Sequence, residues 1–278
     1  MEEKKISVNS LTINYKITEE EDPLLSFAGI KFYPEKVPIK GTILILHGWG
    51  GSSDSWIEVQ KNLIKNGYKT IVPDLPGFGK SVTPLKAWGI DDYTDFVSKF
   101  AEKINLTGPF FLLGHSFGGR IAIRFVLKHP EKIKGLILCD SAGIKPKMGI
   151  KTMLIYWTAK LGNALLTPKH FSRFRDSARN FFYAVIRHRD YEKADGVMKE
   201  TIIKVLNEDL FADLSKIKTK TLLVWGKNDK MVPVKYANVF KINIENSELE
   251  ILPKIGHSPH LEVPDKLSEI LLKFLNKF

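Results

Sequence analysis

The sequence predicts an α/β protein: a mostly parallel, doubly wound sheet interrupted once by a helical insertion. Three observations carry this reading. From residue 42 onward, short apolar runs alternate with amphipathic stretches, the rhythm of strand–helix–strand units. The first run, TILIL at 42–46, lacks the polar alternation of a half-exposed strand and suits a strand buried on both faces. Between about 143 and 214 only helical patterns appear, after which the alternation resumes.

Taken in order, residues 5–17 (KISVNSLTINYKI) alternate in the strand manner, with Asn9-Ser10 as a turn. The acidic stretch 18–22 reads as an exposed loop and 26–33 as another strand. The strand 42–46 ends in His47-Gly48. Ser52, Ser53 and Asp54 are capping residues for an amphipathic helix that runs to Asn66. A strand at 68–72 leads into a glycine- and proline-rich loop at 73–81. Then come a helix at 91–104, a strand at 110–113, a helix at 117–128 and a strand at 133–139. Helical patterns at 153–166 and 171–188 lie in the insertion. Beyond it follow a strand at 221–225, a helix at 234–240, a strand at 247–252 and a closing helix at 264–278. The chain therefore divides into one core, 1–142 with 215–278, and an inserted helical module, 143–214. Modules inserted after strands are surface features that tend to carry function.

Bulk properties narrow the function classes. With 278 residues, 44% hydrophobic and 26% charged, the chain is that of a globular protein rather than a disordered one. The start, Met1 to Lys5, is charged with no apolar run behind it, which argues against a secretory signal. No uncharged apolar stretch of spanning length appears, so no transmembrane helix is expected. The single cysteine, Cys139, can form neither an internal disulfide nor a cysteine-built metal site, and reads as a buried small hydrophobe. A reducing, cytoplasmic setting is the default. The net charge of +11 is uneven: residues 145–204 hold 13 Lys and Arg against 5 Asp and Glu. Such a face could attract nucleic acid, anionic membrane or acidic substrates, but a solvated lysine-rich surface explains it more simply. There is no zinc-finger spacing and no RNA-binding signature, so nucleic acid is not an expected partner.

The strongest chemical signal is Gly114-His115-Ser116-Phe117-Gly118. It fits G-x-S-x-G and falls between a strand and a helix. A serine on that sharp turn has strained backbone geometry and an exposed oxygen. Its position at a helix N-terminus favours developing negative charge. The glycines let strand and helix approach closely. His115 adjoins the nucleophile but should point elsewhere, as a packing residue.

A serine hydroxyl needs a base, and the base needs an orienting carboxylate. His257, in the loop after 247–252, and Asp229, just after 221–225, both follow strand ends on the side of Ser116. The order Ser, Asp, His also fits this motif. Two competitors remain at this point. His260 could be the base, and Asp140, after the strand 133–139, could supply the carboxylate or cap the first turn of the insertion. Acyl transfer further needs two N–H donors at the developing alkoxide. Phe117 supplies one by position, and Trp49, in the glycine-flanked loop His47-Gly48-Trp49-Gly50-Gly51, is expected to supply the other. His47, Trp49, Trp157, Phe182 and Val232 are the expected substrate-pocket residues.

These segments, HGWGGSSDSW (47–56), DLPGFGKS (74–81), GHSFGG (114–119), WGKNDKMVP (225–233) and GHSPHLEVPDKL (256–267), resemble those of the α/β-hydrolase superfamily, in the same order and over nearly the whole chain. The resemblance is to the capped serine branch that includes small esterases, lactonases and carbon–carbon bond hydrolases. It implies that 143–214 is a helical cap over the active site. Epoxide hydrolases and haloalkane dehalogenases resemble this fold but use an aspartate where Ser116 stands. The dehalogenase tryptophan after the nucleophile is Phe117 here. Carbon–carbon hydrolases usually carry asparagine at the position of His115, which weighs against that chemistry. Residues 18–40 form a longer stretch than the family usually has. In the expected cap, Met148, Met153, Tyr156, Trp157, Phe171, Phe174, Phe181, Phe182 and Tyr183 serve its core or line the pocket.

The expected function is hydrolysis of small to medium carboxylic esters, extending to lactones, through an acyl-enzyme on Ser116, His257 and Asp229. The expected partner is a small-molecule substrate, with no metal and no organic cofactor, in a monomer or homodimer. Peripheral membrane contact is not the favoured reading of the apolar stretch 148–166. Two alternatives stand beside it: a carbon–carbon bond hydrolase of ring-fission products, and a non-catalytic ligand-binding protein on the same fold.

Overall fold

The alternating residues at the amino terminus form a hairpin. Strands β1 (Glu2–Val8) and β2 (Leu11–Ile17) pair antiparallel, with Val8 opposite Leu11. Asn9 and Ser10 between them have φ of 49° and 65°. Two successive positive φ angles give the tight turn whose twist matches that of the flanking strands. The computed structural model of the chain describes residues 1–18, 25–27, 30–32, 38–145 and 196–278. Thr18, expected to open an exposed loop, is instead buried, and its Oγ1 accepts a 2.7 Å hydrogen bond from the Thr70 N–H. Residues 19–22 lie outside the described residues. Where one strand was expected over 26–33, two short ones form an antiparallel pair, β3 (Leu25–Phe27) and β4 (Ile30–Phe32). Gly29, a strand breaker, falls between these two β-prone triplets in the sequence.

The strand–helix units then follow as the periodicity predicts: β5 (Gly41–Leu46), α1 (Ile57–Lys65), β6 (Tyr68–Pro73), α2 (Ile90–Lys103), β7 (Phe110–His115), α3 (Phe117–Lys128) and β8 (Ile133–Cys139). After the insertion come α4 (Val197–Asn207), β9 (Thr221–Gly226), α5 (Lys235–Asn243), β10 (Ser247–Leu252) and α6 (Pro264–Leu275). The main sheet has eight strands in the order β1-β2-β6-β5-β7-β8-β9-β10. Every pairing from β6 across to β10 is parallel, while β1 and β2 run antiparallel at one edge. This is the α/β-hydrolase fold.

Alternate residues of the central strands feed two apolar layers. Leu44, Leu46, Leu112, Leu138 and Leu223 face one layer, closed by Tyr93 and Phe100 of α2, Ile121 and Phe125 of α3, and Phe240 of α5. Ile43, Ile45, Phe111, Leu113, Ile137 and Val224 face the other, closed by Val59 and Leu63 of α1 and Leu271 and Phe274 of α6. Both faces are covered, which is why TILIL carries no polar alternation. Cys139 is fully buried in the second layer, as its apolar setting predicts.

The helical patterns at 153–166 and 171–188 lie outside the described residues, as do Trp157 and Phe182. The ends that are described close on each other. The Leu210 N–H donates to the Gly143 carbonyl at 2.8 Å, and the Lys145 N–H to Asp209 Oδ1 at 3.1 Å. Residues 197–214, expected within the insertion, bury Val205, Leu210 and Leu214 in the same layer as Ile123 and Phe240. An apolar helical stripe shows that a face is covered, not which layer covers it. Because the strands run parallel, the loops after β5, β6, β7, β9 and β10 meet at one edge of the sheet, where such folds bind ligands.

Candidate active site

Ser116 stands between the end of β7 and the first turn of α3, with φ 52° and ψ −111°. A serine with positive φ is uncommon, and neighbours must hold it there. The Ser116 N–H donates to the Cys139 carbonyl at 3.1 Å, and the Ser116 carbonyl accepts from Gly119 and Ala142 at 3.0 Å each. The approach is close: a Cβ on Gly118 would run into the Leu46 carbonyl, and one on Gly114 into the Gly118 backbone. The turn therefore needs glycine on both sides of the serine.

The structure brings Ser116, His257 and Asp229 together. The Ser116 hydroxyl donates to His257 Nε2 at 2.9 Å, and His257 Nδ1–H donates to Asp229 Oδ2 at 2.7 Å. The other Asp229 oxygen accepts from the N–H groups of Met231 and Val232 at 2.7 and 2.9 Å. Burial pushes the Asp229 carboxyl up, but the His257 ring, with the Val232 N–H and the Asp140 side chain, outweighs it and holds the group below the usual carboxylate range. A hydroxyl aimed at an imidazole that is itself oriented by a carboxylate can attack a carbonyl as its proton leaves.

Of the competing residues, His260 stacks on Trp56, with ring centroids 4.4 Å apart and planes 7° from parallel. Burial, followed by the charges of His257 and His47, lowers His260 to about 3, so it stays neutral. Asp140 takes the Gly226 N–H on Oδ1 at 2.9 Å, and the ring of His257 goes to Asp229 instead. Asp140, Asp229 and His257 each have one ligand-type atom within 4.8 Å of the others, the set among the described residues that could meet a metal ion. Direct hydrogen bonding between His257 and Asp229 accounts for the closeness of those two.

Trp49 and Phe117 flank the serine. The Gly51 N–H closes a turn onto the Gly48 carbonyl at 3.0 Å, leaving the Trp49 N–H outside the turn's own bond. Phe117 opens α3, so its N–H has no partner within the helix. The Trp49 ring packs edge-on against Phe78 and Phe117 at 4.8 and 5.3 Å and also lines a cavity of about 450 Å³. Ser116, His257, Met231 and Leu261 line the same cavity.

Two expected pocket residues make supporting contacts in the structure. His47 is fully buried, with Nδ1–H donating to the Gly48 carbonyl at 2.8 Å and Nε2 accepting the Leu75 N–H at 2.9 Å. Both ring nitrogens are occupied in bracing the loops after β5 and β6, so His47 is a strut and not a pocket wall. Val232 holds Asp229 through its N–H and accepts the Trp225 indole N–H at 2.8 Å, while Met231 lines the cavity. Trp157 and Phe182 fall outside the described residues.

Several supporting residues escaped the sequence reading. His115, expected only to pack, donates its Nε2–H to the His257 carbonyl at 2.8 Å. Glu262 accepts from the N–H groups of Gly256 and Ser258, at 2.9 and 3.2 Å, and so brackets His257 from both sides. Buried Asp74 takes the N–H groups of Ser53 and Lys80 and the amide of Asn14, at 2.6, 2.9 and 3.0 Å. A Glu six residues beyond Gly256 in the next helical turn was the one readable signal among them.

The neutrality of His260 has a measurable consequence. The unfolded chain takes up a proton at this residue below about pH 6.5, while the folded chain resists down to about 3. Its contribution is thus complete above pH 6.5 and is lost as pH falls through that window. Phenylalanine keeps the stack on Trp56 and does not titrate. Between pH 7 and pH 5, His260→Phe should lose about 2 kcal/mol less stability than wild type in urea melts. Equal losses would mean that the folded protein protonates His260.

The family model for the alpha/beta hydrolase fold matches residues 41–164. The 2-hydroxy-6-oxononadienedioate/2-hydroxy-6-oxononatrienedioate hydrolase of Escherichia coli K12 is 29% identical over 251 residues, covering 84% of this chain and 86% of the relative. The bovine (Bos taurus) monoacylglycerol lipase ABHD6 is 28% identical over 257 residues, covering 85% and 75%. The solved structure of a thermophilic esterase from Thermogutta terrifontis superposes with a TM-score of 0.68 at 20% identity, covering 100% of this chain and 99% of that one. The chain is similar to members of the α/β-hydrolase superfamily, and the class that its fold and site define is that of a hydrolase. No described helix is long and apolar enough to cross a membrane.

Proposed function

We propose that the chain is a serine hydrolase of carboxylic esters with small to medium acyl groups, lactones included. The observation that carries this reading is the unbroken hydrogen-bonded chain from Ser116 through His257 to Asp229, facing a cavity of about 450 Å³. In the proposed reaction Ser116 Oγ attacks the ester carbonyl as His257 Nε2 takes its proton. Asp229 keeps the imidazole in one tautomer and balances its positive charge. The N–H groups of Trp49 and Phe117 receive the oxyanion. The imidazolium then returns the proton to the departing alcohol. Water, deprotonated by His257, releases the acid from Ser116. The reaction as written draws on no metal and no organic cofactor.

A second reading is favoured by the similarity to the Escherichia coli hydrolase: cleavage of a carbon–carbon bond beside a carbonyl by the same three residues. His115, where that group usually carries asparagine, weighs against it. A panel of p-nitrophenyl esters from acetate to decanoate, run beside a vinylogous ring-fission diketone, separates the two. Ester turnover that vanishes in Ser116→Ala is the expected result, with the chain-length optimum sizing the acyl pocket. Diketone turnover without ester turnover would replace the ester reading by the carbon–carbon one.

A further inference from the structure

A second carboxyl group stands behind the three-residue chain. Asp140 follows β8, the strand next to the β9 that leads to Asp229. It is fully buried, with φ 43°, a backbone conformation that a neighbouring structure must hold in place. Its contacts are few. The Gly226 N–H donates to Oδ1 at 2.9 Å, and the Cys139 thiol lies 3.7 Å from Oδ2. The carboxyl of Asp229 stands beside it, with an oxygen of each acid within 4.8 Å of the other. Among the described residues no lysine or arginine pairs with either acid, and the one ion-pair partner of Asp229 is His257.

Two neighbouring carboxyl groups in a buried site without a cation between them do not readily both ionise; one keeps its proton. The donor inventory says which. Asp229 accepts from the His257 ring and from two backbone N–H groups. Among the described residues, Asp140 accepts from one backbone N–H and a weak thiol donor. Charge therefore sits on Asp229 and the proton on Asp140. Burial, with the hydrogen bond and charge of Asp229, pushes Asp140 up to about 9 in spite of the Gly226 N–H.

We propose that Asp140 is a positioning residue of the triad, a neutral buried acid whose O–H donates to the Asp229 carboxylate and fixes it beneath the His257 ring. The proposal rests on the serine-hydrolase reading and names a residue which that reading does not use. The Asp140 proton is donated but not transferred. It restrains Asp229 and spreads its charge without adding a second negative charge beside it. A hydrophobic residue in the same place would leave the Gly226 N–H unmet and Asp229 with one donor fewer.

The test follows phosphonylation of Ser116 by a fluorophosphonate, which reads the activation of the serine and needs no knowledge of the substrate. Asp140→Asn keeps the size, tolerates the positive φ and offers an amide N–H donor that does not titrate. Asp140→Gly accepts the backbone and removes the donor. Asp140→Gly should slow labelling about 10- to 100-fold, the effect of losing a hydrogen bond to a charged group. Asp140→Asn should recover the rate to within about threefold of wild type, because its amide makes the same donation. Among the described residues, the titratable groups that face Asp140 are Cys139, which precedes it, and Asp229 beyond β9, with His257 next to Asp229. Wild-type labelling should fall above about pH 9, where loss of the Asp140 proton sets a second charge against Asp229. That fall should be missing in Asp140→Asn, a comparison that stands even if the glycine variant fails to fold. Asp140→Asn as slow as Asp140→Gly would mean an ionised Asp140 and overturn the proposal. So would a glycine variant that labels like wild type at every pH. If wild type itself is not labelled, the triad reading falls and the proposal with it, an outcome distinct from either failure of Asp140 alone.

Discussion

Replacing Ser116 with alanine is expected to lower turnover by about 10⁴- to 10⁶-fold while leaving the unfolding midpoint where it was. The two halves of that statement have separate causes. Turnover depends on an oxygen that can leave its proton on His257 Nε2, 2.9 Å away, and alanine has none. Stability depends on the elbow that holds residue 116 at φ 52°, and alanine meets the same backbone strain there as serine. The one side-chain hydrogen bond lost ends on an imidazole at the cavity wall, where water can replace the hydroxyl. The change in folding free energy should stay within about 0.5 kcal/mol. His257→Ala should cost a similar factor in turnover, and the double variant little more than either alone, because the serine and its base act as one unit. Both the ester and the carbon–carbon readings require this result. Turnover in Ser116→Ala above about one hundredth of wild type would point to a different nucleophile and remove both.

Much of this arrangement could be read before any fold was known, and the reason is local chemistry. The helix 117–128 and the strands 133–139 and 247–252 coincide with α3, β8 and β10 to the residue. Each is bounded by glycine, proline or a polar turn residue. Ser116 was legible because a nucleophile elbow needs glycines at fixed offsets. Asp229 and His257 were legible because each follows a strand end within a few residues. The supports were not legible. Asp74 joins residues 53, 80 and 14, and His115 reaches the carbonyl of a residue 142 positions away. Nothing in the local pattern announces such partners; they exist only once the sheet has set β6, β5 and β7 side by side and brought the loop after β10 to the same edge. His47 misled for the same reason. A histidine after β5 next to glycines looks like a pocket residue until the loop after β6 is seen to occupy its other nitrogen. Thr18 was misread because an acidic neighbourhood suggested solvent, whereas its hydroxyl continues the edge where β2 meets β6.

Among the glycines of the described residues, Gly226→Ala should be one of the most damaging substitutions, and its effect should reach stability and turnover together. Gly226 ends β9, and a Cβ there would overlap the carbonyl oxygen of Gly256 and press on that of Ile255. Both obstacles are backbone, so no rotamer change relieves them. The chain segments that would have to part are the two that carry Asp229 and His257. They are stitched by the Asn228 N–H to the Ile255 carbonyl at 2.8 Å and the Lys227 N–H to the Leu252 carbonyl at 2.9 Å. Gly226 also supplies the N–H that Asp140 accepts at 2.9 Å. Separation would stretch the 2.7 Å contact between His257 and Asp229, and a misplacement of about 1 Å typically lowers turnover about 100-fold. Overpacking against backbone, with buried hydrogen bonds broken, should destabilise by about 4 kcal/mol or more. Gly108→Ala is the matched control. A Cβ there meets nothing within 4 Å, and its melting curve should coincide with that of wild type. Urea melts of both variants, with turnover measured on the folded fraction, check the pair. A Gly226→Ala protein as stable and as active as the Gly108→Ala control would mean that β9 and the His257 loop are not in the close contact on which the geometry of the site depends.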